Sequence, residues 1–581
     1  MSRAFVILFL ALALAGLSRP ASVSAIAIGD TLTIIQRPLL NIPSFVVPCD
    51  TLRIECAAPS STTGWSARLQ FASHEIALPI LSASYDPATV WWTLMAQVPE
   101  AADIPLYEQY DLIVQANGGI WDRTRNAVVV IPEYREEYYF VHISDPHLPT
   151  DLYYYEAGAD TDSSEIMDLR AVIADLNIIN PEFVLLTGDL INEGELEDFL
   201  LKRYYTRAQR VLTEFKMPVF LTAGNHDIGG WDATPPPDGT ARRDWWRFFG
   251  WKRLDSPPPG APWRTQNYSF DYGTIHYTGL ESYDNYDDFR YSIYGETSFI
   301  SEQLQWLNAD LAAAAGSTAK VLFHHYDFAD QLNLSSLGID LALWGHIHRD
   351  AGSITQYPYD LGTNNPGGGE RAFRLVRVAQ GQVYPELTMS AGSTGERLRV
   401  LYTPANDGTN DTVTASVLNA YPERFENGLL RFFMPGGAGQ YQVNGGRLIQ
   451  CDNAGIFSVC YVGVDIRASA NQTVTIVKMP SDADDHPPLA RLSLWQNSPN
   501  PFALATEFGF LLPAAGHVRL SIYSLEGREV ARLVDEWRPA NSYTAAWDGR
   551  GADGGRVPAG IYFARLTCAG SDVTRKVIFA R

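Results

Sequence analysis

Between Tyr138 and about Val383, short apolar runs alternate with segments of helical spacing, and this alternation limits the possible folds more than any other feature. Tyr138–Ile143, Phe183–Thr187, Val219–Thr222, Ile275–Leu280, Val321–Phe323 and Leu341–Trp344 are apolar runs of strand length. Such runs mark strands buried on both faces. Between the first two, Ile166, Leu169, Ile173 and Leu176 recur at helical spacing, and Ser298–Ala315 predicts another helix. Strand–helix alternation sustained over this distance predicts an α/β domain, with bounds at 135–385.

Metal-competent residues follow these runs. Asp145-Pro-His147 comes after the first, Gly188-Asp189 after the second, and Gly224-Asn225-His226-Asp227 after the third. His324-His325 closes Val321–Phe323, and Gly345-His346-Ile-His348 closes Leu341–Trp344. Open α/β sheets gather their ligand sites at the carboxyl ends of strands. The donors are carboxylate, amide oxygen and imidazole, without thiolate, a set that suits Mn, Fe, Zn, Co or Ni in higher coordination. A carboxylate can bridge two cations, and a cation pair is the usual clamp for displacement at phosphorus.

The five blocks, in this order, resemble the signature of the calcineurin-like metallophosphoesterases over residues 136–383. The resemblance implies two β-sheets packed together and flanked by helices, holding two divalent or trivalent metal ions. One ion would be held by Asp145, His147, Asp189 and His348. The other would be held by Asp189, Asn225, His324 and His346, with Asp189 bridging. In the doublet the first histidine is the family's ligand, so His324 is preferred to His325; Tyr326-Asp327 replaces the proline usual there. The resemblance also implies a metal-activated hydroxide as nucleophile. His226 would contact phosphate and protonate the leaving group, and Asp227 would orient the His226 ring. His147 in the first block separates the chain from purple acid phosphatases, which lack a histidine there.

The rest of the chain reads as β-structure. Residues 26–134 carry short Thr-, Val- and Ile-rich runs between turn residues, predicting an N-terminal β-sandwich domain. Residues 386–485 predict a second β-domain, Asp482–Pro488 a linker, and 490–581 a C-terminal immunoglobulin-like β-sandwich. The fold class is therefore multidomain α/β plus all-β. In the last stretch, Gln496-Asn-Ser-Pro-Asn-Pro-Phe502, Gly527-Arg528, Trp547-Asp548-Gly549, Gly560-Ile-Tyr-Phe563 and Arg575–Phe579 resemble the sorting domain of the type IX secretion system. That resemblance implies secretion machinery as a partner and an extracellular or outer-surface location.

Export is also predicted at the N-terminus. Arg3, the apolar stretch Ala4–Leu17 and Val23-Ser24-Ala25 read as a signal peptide over residues 1–25. Its removal takes away Arg3 and Arg19 and no acid, moving the formal charge from -22 to -24. A field of that sign disfavours bulk nucleic acid as a partner; a small phosphate ester remains compatible. In an exported chain, Cys49–Cys56 and Cys451–Cys460 are expected disulfides, with Cys568 left over. Residues 229–267 form an insert rich in tryptophan and arginine, either a lid for an anionic substrate or a packed surface loop. The function that follows is metal-dependent hydrolysis of phosphate mono- or diesters. The alternative is a cell-surface adhesion or carbohydrate-binding protein with a vestigial metal domain. The sequence leaves substrate, metal identity and oligomeric state open.

Overall fold

The computed structural model describes residues 34–148, 164–192, 204–228, 267–281, 301–326, 332–392, 397–479 and 492–580, with short interruptions, and residues 245, 248, 249 and 299. The predicted signal peptide, the predicted linker and most of the 229–267 insert lie outside the described residues.

Two five-stranded sheets form the centre. In the first, Val219–Thr222, Val184–Thr187 and Tyr138–Ile143 run parallel, followed by antiparallel Ala372–Ala379 and Gln382–Ser390. In the second, Tyr268–Tyr272 pairs antiparallel with Ile275–Leu280, and Ala319–His324, Leu341–Trp344 and Tyr359–Gly362 continue in parallel. The pleat sends successive side chains to opposite faces. Tyr138 and Phe140 thus enter an aromatic core between the sheets with Phe183, Phe220, Tyr277 and Phe323. Tyr139, Val141 and Ile143 face outward onto helix Ser164–Ile179 through Ile166, Leu169, Ile173 and Leu176. Helix Ser301–Ala313 covers the second sheet through Leu307 and Leu311. The central region is a double sheet with helices on its outer faces.

One expected boundary moves. Strand Gln382–Ser390 crosses residue 385 and belongs to the central sheet. Beyond it, strands between 398 and 479 form two further sheets. Their apolar residues Val413, Val417, Phe425 and Phe432 join the same core as Tyr139, Leu169 and Phe373 without a break. Upstream, two sheets built from strands between Ile35 and Val130 enclose Ile54, Leu69, Leu94 and Val128. They meet the 398–479 region through Glu108, which accepts from Arg431 Nε at 2.9 Å and Tyr461 Oη at 3.0 Å.

Cys451 and Cys460 face each other on paired antiparallel strands and are bonded. The expected Cys49–Cys56 bond is absent: Cys49 is exposed and Cys56 is buried, and both are free thiols. Cys49 precedes strand Thr51–Ala57 and Cys56 lies near its end. Extended chain rises about 3.3 Å per residue, which carries the two sulfurs far past the ~7 Å Cα limit for a disulfide. Cys568 is free and buried.

The C-terminal strands form sheets of three and four around a separate core. Trp547 lies against Phe502 at 5.4 Å and Tyr562 at 5.4 Å, and Phe502 against Phe579 at 4.9 Å. The aromatic motif residues Phe502, Trp547, Tyr562 and Phe579 thus belong to its core. Among the described residues, no helix is long and apolar enough to cross a membrane.

Candidate metal centre

The loops after three parallel strands of the first sheet interlock. Asp145 N donates to Gly188 O (3.1 Å), His147 N to Asp189 O (2.9 Å) and Leu148 N to Leu190 O (2.9 Å), so the two loops run side by side. His226 N donates to Asp189 Oδ1 at 2.9 Å, tying in the third loop. From the second sheet, His346 N donates to both Asp145 carboxylate oxygens, at 3.0 and 2.9 Å. This approach requires glycine. A Cβ on Gly345 would lie 1.7 Å from Ser144 Oγ, and one on Gly224 would lie 2.2 Å from Asp189 Oδ1.

Five of the proposed ligands hold left-handed backbone: Asp145 (φ 53°), His147 (44°), Asp189 (47°), His346 (68°) and His348 (50°). Each such residue costs roughly 1–3 kcal/mol and persists where its surroundings over-determine it. Here the conformation bends the chain so that side chains on separate loops aim at one place.

The donors form overlapping groups. Asp145, His147 and His348 bring one donor atom each within 4.8 Å of one another, and so do Asp189, His325 and His346. Asp189 also groups with His147 and His226. Asp189 thus stands where the two halves meet. The set fits cations on two further observations. His147 Nε2 and His348 Nε2 approach to 2.9 Å. His147 Nδ1 and Asn225 Nδ2 are buried polar atoms with no hydrogen-bond partner among the described residues, so these two side chains are not held by competing contacts at those atoms.

Electrostatics favour ionised carboxylates. Burial opposes the charge of Asp189, but His325, His226 and His147 outweigh it and hold Asp189 well below the ordinary range. Asp145 is also lowered, against burial, by His348 and His325. Burial pulls His325 down, yet Asp189 and Asp145 push it up to about 9. Burial lowers His147 to about 4. The cluster is a nest of buried anions and imidazoles in want of positive charge.

Two expectations need correction. Of the doublet, the structure turns His325 into the cluster: its Nε2 lies 3.1 Å from Asp189 Oδ2 and 3.1 Å from Asn225 Oδ1, while Nδ1 donates to Thr187 O at 2.8 Å. His324 instead lies edge-on to Phe299, ring centres 5.8 Å apart. The pleat explains this. Val321 and Phe323 face the inter-sheet core and Leu322 the helix side with Phe299, so His324 follows Leu322. Asp227 does not orient the His226 ring. Its carboxylate accepts from Ile191 N (3.1 Å) and Gly224 N (2.9 Å), joining two ligand loops. Burial, then the neighbouring Asp189, push it above the carboxylate range. His226 Nδ1 donates instead to Asn192 O at 2.6 Å. Both residues sit on the helical turn Asn225–Ile228, where adjacent side chains do not face each other.

Of the remaining expected ligands, Asp145, His147 and His348 lie together, Asp189 and His346 lie with His325, and Asn225 Oδ1 is 3.1 Å from His325 Nε2. Sequence reasoning missed Asn192, because a backbone carbonyl leaves no compositional trace. In the 229–267 insert, Trp245 is fully buried and stacks on Phe249 at 4.3 Å, so this residue packs on the core; the arginines lie outside the described residues.

Comparison with known proteins bears on residues that carry these motifs. The chain is similar in structure to a purple acid phosphatase from yellow lupin (Lupinus luteus) seeds, at 12% identity and TM-score 0.34, over 59% of this chain and 72% of that one. It is also similar to a dimetal phosphatase from Danio rerio, at 16% identity and TM-score 0.31, over 44% of this chain and 98% of that one. No curated protein matches the chain. Residues 138–350 match the family model of the calcineurin-like phosphoesterases.

Proposed function

We propose that this chain is a metal-dependent hydrolase of phosphate mono- or diesters, with His325 replacing His324 in the ligand set carried over from the family. The observation that carries the reading is the adjacency of two ligand groups, Asp145–His147–His348 and Asp189–His325–His346, linked where Asp189 approaches His147 to 3.6 Å. Asp145, His147, Asp189 and His348 would hold one cation; Asp189, Asn225, His325 and His346 would hold the other. Bound there, two cations supply Lewis acidity toward phosphoryl oxygens and lower the pKa of a water nucleophile. The chain's own residues do the rest. Asp145 fixes the His346 loop by accepting its amide proton. Asp227 holds the Asp189 and Asn225 loops in register. Asn192 O accepts a hydrogen bond from His226 Nδ1–H, so proton exchange with substrate falls to Nε2. General-acid assistance of that kind contributes roughly 10²–10⁴-fold.

We further infer export, with residues 490–581 as a sorting module delivering the chain to the cell surface or medium through a secretion apparatus. The N-terminal pattern and the C-terminal motif residues support this reading.

The test is a panel of phosphate monoesters, diesters, nucleotides and lipid headgroups, assayed on protein reconstituted separately with Mn, Fe, Zn and Mg. Turnover that requires metal and vanishes in Asp189→Ala is expected. Two bound metals without turnover of any phosphoester would overturn the reading.

A further inference from the structure

Beneath the ligand loops, between the two sheets, lies a fully buried histidine that the chemistry above does not use. His142 is the last but one residue of strand Tyr138–Ile143 and is 0% exposed. Its Nδ1 is 2.8 Å from Thr363 Oγ1 and its Nε2 is 2.8 Å from Thr187 Oγ1. Either nitrogen of a neutral imidazole can carry the proton, but here the neighbours decide. Arg374 Nε, which can only donate, donates to Thr363 Oγ1 at 3.0 Å. Thr363 Oγ1 can still either donate or accept once more, and the other end of the chain settles which. Ser144 Oγ donates to the Thr187 carbonyl at 3.0 Å, so Thr187 Oγ1 donates to Ser144 Oγ at 2.8 Å. With its own proton so used, Thr187 Oγ1 accepts from His142 Nε2, and His142 Nδ1 accepts from the Thr363 hydroxyl.

That carbonyl is the acceptor for His325 Nδ1, at 2.8 Å. The links thus form one directional chain from the Arg374 guanidinium, on the strand paired with that of His142, to the oxygen that holds a proposed metal ligand. Burial also holds His142 down to about 3, so the ring stays neutral and the direction of the chain persists.

We propose that His142 is a positioning residue of the metal centre: through Thr187 it fixes the carbonyl that orients His325, so that His325 presents Nε2 to a cation. This rests on the phosphoesterase reading only in assigning that cation. An imidazole ligand whose other nitrogen is well anchored binds metal more tightly, and loss of such anchors typically costs about 10–100-fold in metal affinity.

The experiment is titration of the metal-free full chain with Mn²⁺, alongside histidine-selective ¹⁵N spectra of the same sample. Metal-free wild type is expected to show a neutral His142 protonated at Nε2, and a proton on His325 Nδ1 both below and above its titration near pH 9. Thr187→Val cuts the chain without changing side-chain shape. It should weaken one of two Mn²⁺ ions about 10–100-fold and leave the other within about twofold; Thr187→Ser should restore binding. Thr363→Val, farther from the ligands, should act in the same sense, and the double valine variant should be no worse than either single one. A fall in melting temperature with both Mn²⁺ affinities unchanged would reduce the chain to a structural role and overturn the proposal. So would His142 protonated at Nδ1 in wild type. If wild type binds fewer than two Mn²⁺, the dinuclear reading fails instead, and the protonation pattern alone judges the chain.

Discussion

Asp189 groups with His325 and His346 and lies 3.6 Å from His147 of the other group, so its removal should injure both. Asp189→Ala is expected to abolish turnover and leave at most one metal per chain, read by metal analysis of the purified protein. His348 gives the opposite lesson about stability. Its side chain is 44% exposed and its backbone is left-handed, a conformation asparagine tolerates. His348→Asn should therefore keep the metal-free fold, while emptying the Asp145–His147 group; melting curves with and without metal check this. His226 bears on mechanism. If it protonates the leaving oxygen, His226→Ala should slow esters with poor leaving groups by roughly 10²–10⁴-fold and activated aryl esters far less, with both metals retained. Equal losses for both classes would leave it only an electrostatic role toward the phosphoryl oxygens. At this scale the sequence identified most donors, because hard ligands after apolar runs are conspicuous. It misplaced the doublet by one residue although the pleat of Val321–Phe323 already carried the answer. It misassigned Asp227 because short sequence distance does not bring side chains together on a helical turn.

Among the elements, strand Ile275–Leu280 is fastened to helix Ser301–Ala313 by a titratable staple. His276 Nδ1 meets Asp271 Oδ1 at 2.7 Å and Nε2 meets Asp310 Oδ2 at 3.0 Å. Burial opposes the charged ring, but the two carboxylates outweigh it and raise His276 from 6.5 to about 9. A raised folded-state value means that the stabilisation is complete below about pH 6.5 and is lost as pH rises through about 9. With the exposed Asp271 discounted for solvent screening, the loss should be on the order of 1–2 kcal/mol. Asp310→Asn should flatten that part of the stability–pH curve. Strands buried in parallel pairing, such as Val219–Thr222 and Leu341–Trp344, were legible because nothing but apolar residues fits there. Ala372–Ala379 and Gln382–Ser390 were not, since Arg374, Arg377 and Glu386 interrupt their apolar pattern. Those charges have partners that only the fold reveals: Arg377 pairs with Glu386 and Glu426.

On the scale of the whole molecule, the β-regions differ in how they attach. The C-terminal segment has its own core, so deletion of residues 492–581 should leave metal content and specific activity nearly unchanged in the purified protein. Deletion within 398–479 should instead prevent folding of the central domain, because one core runs through both; limited proteolysis and metal content separate the two cases. Composition predicted β-structure in both places and could not tell an independent unit from one welded to its neighbour, since that depends on which outer face is left for covering. The distribution of the ligands along the chain has a consequence for order of assembly. His147 and His348 meet across 201 residues, and closing so distant a contact comes late, after local structure has formed. A chain emerging from synthesis or from a translocation pore would thus have no dinuclear pocket until its second sheet had docked on the first. Metal would arrive as the last component, and a chain stopped short of Gly345 would be a scaffold with nothing to load.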